Sequence, residues 1–286
     1  MVKSWLNNMG TLKDMEEKSI YILREVYKKF NNPCLLWSMG KDSTVLLWLC
    51  KKAFYDKIPF KVVHIDTGLK FKEMISFRDE YAKKWNLDIL SVKYEGNIVP
   101  ENGRFECCNA RKTKALKQVI DENKFDSVIV GIRRDENSIR GKERYFSPRD
   151  NDFRWNVTKD NNYSNEVDIS SCQDAELSGW DIYATEFSEG TNHVRIHPLL
   201  HWDEIDIWKY IKQENIPVCN MYFSNEGKRF RSLGCSPCTT PFDSKAGDVD
   251  SIISELLVSK NNERDGRNQD KENEYNMQKL RSLGYM

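Results

Sequence analysis

The stretch Leu35-Leu36-Trp37-Ser38-Met39-Gly40-Lys41-Asp42-Ser43-Thr44-Val45-Leu46-Leu47-Trp48 passes from a short apolar run, through a polar loop, into apolar residues at helical spacing. A strand that turns tightly into a helix presents the helix's first N–H groups to the loop, and the helix dipole favours an anion there. Gly40 lets a backbone come close. Ser38 and Ser43 supply hydroxyls, Lys41 a positive charge, and Asp42 a carboxylate that either holds Mg²⁺ or caps the helix. Lys41, as a loop residue, is expected to contribute little to the core. The spacing is not that of the Walker loop, which needs G-x-x-x-x-G-K-[ST].

Outward from this loop, the chain alternates strand and helix patterns. Residues 11–30 read as an amphipathic helix, opened by Thr11 and Asp14 and ended by Asn31-Asn32-Pro33. Cys34 to Trp37 is the first strand and Ser43 to Phe54 the following helix. Strands are expected at 60–65, 89–92 and 127–130, with helices between them: one carrying the stripe Phe71, Met74, Phe77 (or Arg78), Tyr81 and Trp85, and one over 111–122. This pattern implies an α/β fold, a mainly parallel sheet with helices on both faces. Ligands in such sheets sit at the carboxyl ends of strands near a switch point. The loops after Trp37, Ile65 and Val130 have that placement.

Residues 1–240 are expected to form one domain, with 149–192 as a flap or insertion because the periodicity fades there. His193 to His197 alternates as a strand and Pro198 closes it, which opposes a helical metal site built from His193, His197 and His201. Trp202 to Glu214 reads as a helix. Residues 241–286 hold one more helix, Ile252 to Val258, and then an irregular polar tail.

The 286 residues carry 44 Lys+Arg against 44 Asp+Glu, so any basic surface must be local. No signal-peptide pattern is seen, and no apolar run approaches the roughly 18 residues of a membrane span. No membrane partner is expected, and the expected compartment is the cytoplasm. There, eight cysteines point away from structural disulfides and toward metal or redox work where they cluster.

Three further constellations carry chemistry. Asp66-Thr67-Gly68 directly follows a strand; Asp66 is placed to contact Mg²⁺ or ribose, or to act as a turn residue, and the strand backbone beside His64 and Ile65 is placed to pair with adenine. Gly131-Ile132-Arg133-Arg134 repeats the strand-to-glycine pattern of the first loop. It opens a net-positive stretch with Arg140, Lys142, Arg144 and Arg149, and guanidinium forks match phosphate oxygens. Cys107-Cys108 and Cys235-Ser236-Pro237-Cys238 supply four thiolates that suit Zn²⁺ or an iron–sulfur cluster; the adjacent pair, which opens a helix, favours [4Fe–4S]. Cys34, Cys50, Cys172 and Cys219 read as buried free cysteines.

Taken together, Ser38-Met39-Gly40-Lys41-Asp42-Ser43, His64-Ile65-Asp66-Thr67-Gly68, Gly131-Ile132-Arg133-Arg134-Asp135-Glu136 with Lys142-Glu143-Arg144, and Arg229-Phe230-Arg231-Ser232-Leu233-Gly234-Cys235 resemble the PAPS reductase/ATP pyrophosphatase superfamily. The resemblance implies an adenine nucleotide α-hydrolase-like fold. It also implies an enzyme that splits ATP between the α and β phosphates, using ATP and Mg²⁺. Lys41, Asp42, Arg133 and Arg134 would be catalytic, and Ser38, Gly40, Lys41, Asp42, Ser43, His64, Asp66, Gly131 and Arg133 would bind the nucleotide. Over most of its length the chain is similar to the small subunit of bacterial sulfate adenylyltransferase, including Glu263-Arg264-Asp265-Gly266-Arg267. The cysteine motifs instead look like those of adenylylsulfate reductases, yet no cysteine follows Cys238 to serve as the reductase nucleophile. That combination is similar to the ATP pyrophosphatase of DNA phosphorothioation systems. The resulting expectation is an iron–sulfur ATP pyrophosphatase that activates the DNA backbone for sulfur insertion, with a cysteine desulfurase as partner and DNA reached through a complex. The alternatives are sulfate activation beside a GTPase large subunit, and a non-catalytic nucleotide-binding scaffold.

Overall fold

A computed structural model describes residues 11–96, 103–137, 140–155, 190–259 and 263–266, apart from the side chains of residues 103, 104, 142, 265 and 266. The expected insertion therefore lies outside the described residues over 156–189, with Cys172, and the tail lies outside them from 267 onward.

Helix α1, Leu12–Lys29, starts where the sequence places it: the Thr11 hydroxyl accepts the Asp14 N–H, and the Asp14 carboxylate accepts the Thr11 N–H in return. Its buried face, Ile22, Leu23 and Val26, packs toward α2, Lys41–Ala53. The central strands are short and almost continuously apolar, as a sheet covered on both faces requires: β1 Pro33–Leu36, β2 Lys61–Ile65, β3 Ile89–Val92 and β4 Ser127–Ile129. The six-stranded sheet has the order β3-β2-β1-β4-β6-β5, with β6 at His193–Ile196 and β5 at Phe146–Arg149. All pairs are parallel except β5 with β6. The connections through α2 and through α3, Lys72–Lys84, step outward from β1 to β2 to β3. The connection through α5, Ala115–Asn123, returns past them to β4 on the other side of β1. Right-handed crossovers of opposite direction place their helices on opposite faces, and they make β1/β4 the switch point.

Three departures from the sequence reading bear on function. Helix α2 begins at Lys41, not Ser43, and its N-cap is Gly40, so Asp42 lies inside the first turn and does not cap it. The cysteine pair does not open a helix: Cys107 and Cys108 end α4, Gly103–Cys108, which continues through a π-helical turn, Asn109–Lys114, into α5. The strand β5 was not anticipated. It pairs Phe146 with Ile196 and Arg149 with His193 at the sheet edge, where Pro148 is tolerated.

Beyond the sheet, α6, Glu204–Glu214, is opened by a reciprocal cap between Asp203 and Asp206 and packs against α7, Val249–Val258. A 3₁₀ turn, Glu263–Gly266, follows.

Three histidines are sealed into this core. His64 is pushed down to about 4 by burial and by Lys70, and its Nδ1 lies 3.1 Å from the Trp37 carbonyl. His197 is pushed to about 4 and His193 to about 2, in both cases chiefly by burial. Each folded pKa is below the ordinary value near 6.5, so the unfolded chain binds more protons as the pH falls through 6.5. Folding stability is present above that pH and is expected to fall from about pH 6.5 toward pH 5, each histidine contributing up to about 1.4 kcal/mol per pH unit. Denaturation midpoints measured across that range check the slope, and His64→Gln should make it shallower.

Candidate active site

The loop after β1 and the loop after β4 meet at the amino end of α2. Gly131 is required there: a Cβ on it would stand 3.1 Å from the Ser43 Cα and 3.2 Å from the Asp42 carbonyl carbon and oxygen. Met39 sits at the apex of the first loop with φ +64 although it carries a fully buried side chain, a conformation held only by its surroundings. The loop is tied internally. The Ser43 hydroxyl accepts the Ser38 N–H at 3.2 Å and donates to the Gly40 carbonyl at 3.0 Å, and Thr44 donates to the same carbonyl at 2.9 Å. The Lys41 N–H donates to the Tyr222 hydroxyl at 2.9 Å. Burial pushes the pKa of that phenol up to about 12, against the pull of Lys41, so it stays protonated. The first-turn N–H groups of Asp42 and Ser43 have no intrahelical acceptor by geometry.

Two adjoining chambers open at this point. One is lined by Ser38, Gly40, Asp42, Ser43, Gly131 and Glu136, with Arg140, Tyr222, Glu263 and Arg264 on its other walls. The second has apolar walls from Trp37, Val63, Ile65 and Leu116, with Lys70, Lys112 and Arg140 as its charged lining. Arg140 borders both. The π turn at 109–114 explains how Lys112 and Thr113 both reach the second chamber, because a wider helical turn re-aims the side chains that follow it.

The expected phosphate-binding cations stand differently. Lys41 is 1% exposed and Arg133 0%. Arg133 bonds Asp42 and Glu263, and its Nε donates to Asp135 at 2.9 Å. Lys41 bonds Glu263 and lies 3.2 Å from Asp42 and 4.0 Å from Glu204. Glu204 is also held by Arg231 at 2.7 Å. Thus Lys41, Arg133 and Arg231 face Asp42, Asp135, Glu204 and Glu263: three cations within four carboxylates. Burial opposes the charge of Glu263, but Arg133 and Lys41 overcome it and hold the carboxyl well below the usual range. Burial and the nearby Glu263 push Glu204 up. Burial also works against the Arg133 guanidinium, and the carboxylates around it more than compensate.

The other candidates separate. Arg134 stacks over the Tyr145 ring at 5.6 Å, Arg144 over Trp155 at 5.3 Å, and Arg149 is buried 3.3 Å from Glu143; none lines either chamber. The basic stretch is therefore no continuous patch. Asp66 is a turn residue whose carboxylate accepts the Gly68 N–H at 2.8 Å, while its neighbours Ile65 and Thr67 line the second chamber. His64 lies fully buried beneath that wall.

The cysteines gather around the same turn. Arg111, three residues after Cys108, donates to the Thr67 carbonyl at 2.6 Å; the Thr67 hydroxyl lies 3.3 Å from the Cys235 Sγ; and the Ser236 N–H donates to the Leu69 carbonyl at 2.7 Å. Cys108 and Cys235 are buried, Cys107 and Cys238 half-buried. Burial raises the Cys108 thiol, Lys112 opposes this, and the fields of Cys235, Cys238 and Cys107 add to the rise. Among the described residues, no three Cys, His, Asp or Glu side chains are close enough to hold a metal ion as they stand. The remaining described cysteines, Cys34, Cys50 and Cys219, are buried and free.

Sequence reasoning missed Glu263, Glu204, Tyr222 and Arg264 as parts of the site. Only the Glu263-Arg264-Asp265-Gly266-Arg267 resemblance signalled any of them.

A doubly wound sheet with a helix-capping loop and a two-chambered cleft at its switch point defines a nucleotide-handling α/β protein. The family model described as "Phosphoadenosine phosphosulfate reductase domain" matches residues 32–241, and the chain belongs to that family. It is 39% identical to sulfate adenylyltransferase subunit 2 of Psychromonas ingrahamii, covering 98% of this chain and 99% of that one. It is 38% identical to the protein of the same name from Allorhizobium ampelinum, covering 96% and 93%. In fold it resembles Candida glabrata FMN adenylyltransferase in complex with ATP (TM-score 0.54, 19% identity, 80% of this chain and 63% of that one). It also resembles phosphoadenylyl-sulfate reductase from Candida auris in a phosphate complex (TM-score 0.51, 15% identity, 80% and 96%). The chain is an enzyme of the adenylyltransferase class. These relatives overturn the expectation of sulfur insertion into DNA: the full-length matches carry the name of the sulfate-activating subunit, the reading that had been the alternative. With that expectation go the desulfurase and DNA as partners. Among the described residues no helix is long and apolar enough to cross a membrane.

The burial of Lys41 corrects its reading as a loop residue of little weight. Removing it leaves Glu263, Glu204 and Asp42 facing one another without their shared cation. Lys41→Met is expected to cost roughly 3–5 kcal/mol of stability, measured by urea unfolding, whereas Ser38→Ala should cost about 1 kcal/mol or less.

Proposed function

We propose that the chain is the ATP-binding, adenylyl-transferring subunit of a sulfate adenylyltransferase, converting ATP and sulfate to adenylylsulfate and pyrophosphate. The observation that carries this reading is its 37–39% identity to proteins of that name over 96–98% of the chain. A sulfate oxygen would attack the α-phosphorus, and the bond from that phosphorus to the bridging oxygen would break, its electron pair leaving with pyrophosphate. The apolar chamber, with Trp37, Val63 and Ile65, suits the adenine. The chamber at the amino end of α2 suits the pyrophosphate, with the first-turn N–H groups of Asp42 and Ser43 and the Ser38 hydroxyl as donors. Arg140, on the border of both chambers, would lie beside an α-phosphoryl group held between them. Asp42 lines the pyrophosphate chamber and is the carboxylate that would hold Mg²⁺, which neutralises phosphate charge when bound. The partner implied by this reading is a GTPase large subunit.

ATP–pyrophosphate exchange by the purified chain with its large subunit is expected to depend on sulfate, and adenylylsulfate should accumulate. Products of ADP and orthophosphate, or exchange indifferent to sulfate, would overturn the reading. Arg140→Gln should lower kcat at least tenfold with a smaller change in KM for ATP, the pattern of an interaction strengthened in the transition state.

We also propose that Cys107, Cys108, Cys235 and Cys238 form a thiolate site for a [4Fe–4S] cluster. What supports this is the contact of Cys235 with the Thr67–Lys70 turn, the fields that Cys107, Cys235 and Cys238 exert on Cys108, and the chemistry of four thiolates. The cluster would join the α4 end to the 235–238 turn, and no step of adenylyl transfer is assigned to it. Protein purified without oxygen should contain about four iron and four sulfide per chain and lose its colour when any of the four cysteines is changed to alanine. Stoichiometric zinc in colourless protein would refute the iron assignment.

A further inference from the structure

The cleft proposed for phosphates presents a carboxylate where a cation is needed. Lys41 and Arg133 are 1% and 0% exposed and do not line the pyrophosphate chamber, whereas Asp42 and Glu263 do. Glu263 uses both carboxylate oxygens, Oε1 toward Lys41 Nζ and Oε2 toward Arg133 Nη2. A carboxylate bridging an ammonium and a guanidinium through two oxygens makes the same charge-assisted contacts that two oxygens of a phosphate would make. The surrounding charge gives no room for both. The chamber lining itself carries three carboxylates, Asp42, Glu136 and Glu263, against the two guanidiniums Arg140 and Arg264, so a pyrophosphate added beside an undisplaced Glu263 would meet a net negative wall at close range.

We propose that Glu263 occupies the anion position of the ligand-free site, and that phosphate oxygens take its place on Lys41 and Arg133 when ATP or pyrophosphate binds. The inference rests on the reading of this cleft as an ATP site and adds to it the exchange that loading requires. It also gives the exchange a direction. The two cations keep a partner at every stage, first the carboxylate and then phosphate, so neither is left buried and unpaired. Arg264 follows Glu263 directly, lines the same chamber, and lies 3.7 Å from Glu136. Movement of Glu263 away from Lys41 therefore carries a guanidinium with it along the chamber wall.

The test is titration calorimetry of the full chain with pyrophosphate and, separately, with adenosine. Glu263→Gln keeps the shape and removes the charge. It should bind pyrophosphate about tenfold tighter than wild type, as expected when a like charge a few ångströms from the ligand is removed. Adenosine affinity should stay the same, since adenosine carries no phosphate. Glu263→Asp keeps the charge on a shorter arm and should fall between the two; it also provides the comparison if the glutamine variant does not fold, which its melting curve reports. Unchanged or weaker pyrophosphate binding by both variants, with wild type binding ATP, would overturn the exchange: Glu263 would then only position Lys41 and Arg133 or ligate Mg²⁺. Wild type that binds neither ATP nor adenosine would overturn the proposed function itself.

Discussion

The interaction on which the site depends is the burial of two cations, Lys41 and Arg133, inside a ring of carboxylates drawn from four separate parts of the chain: Asp42 in the first turn of α2, Asp135 after β4, Glu204 at the start of α6, and Glu263 in the last described turn. Charges taken out of water are tolerated only when paired and hydrogen-bonded, and breaking such a pair is far more costly than its net contribution suggests. The ring therefore does for the cleft what an apolar core does for the sheet. It fixes how the α6 start and the 263–266 turn sit on the carboxyl ends of β1 and β4. The ring can close only because Gly131 has no side chain: a Cβ there would stand 3.1 Å from the Ser43 Cα of α2.

Most of the sheet was legible in the sequence because it is held by apolar burial, which leaves a periodic trace. Val62, Val63, Val128 and Ile129 are essentially fully buried, and runs of this kind separated by amphipathic helices specify parallel strands. The parts that were not legible are held by other forces. β5, Phe146–Arg149, contains a proline and exists by pairing with β6 at an edge, a non-local contact that no local pattern announces. The onset of α2 at Lys41 was obscured because its first residues, Lys41 and Asp42, are charged, and charge usually signals a solvated loop.

The site was legible in its loops and illegible in its charges. The residue types of the Ser38–Ser43 loop and of Gly131-Ile132-Arg133 announced an anion-binding switch point, and the chambers open at that place. Nothing in those motifs says that Lys41 and Arg133 face inward, because ion pairing between residues 222 and 130 positions apart has no sequence period. The same gap explains the tail. Residues after 260 have no apolar spacing and read as solvent-facing, yet Glu263 is held by two hydrogen-bonded cations, an anchor that hydropathy does not register.

The turn Thr67–Lys70 joins the two halves of the cleft's chemistry. Thr67 lines the apolar chamber and touches the Cys235 sulfur; Gly234, one residue before that cysteine, lines the same chamber; and Arg111, one turn beyond Cys108, holds the Thr67 carbonyl. Gly68, at φ +67, is what allows the turn, and a side chain there would also crowd Lys93 at 3.2 Å and Arg111 at 3.4 Å. A change at the Cys235 sulfur, whether by metal, oxidation or alkylation, bears on this turn, because the Thr67 hydroxyl lies 3.3 Å away. On one side it is pinned by the Ser236 N–H to the Leu69 carbonyl, and on the other by β2 pairing with β3. The cysteine wall and the apolar chamber therefore share one turn, although no cysteine lines either chamber.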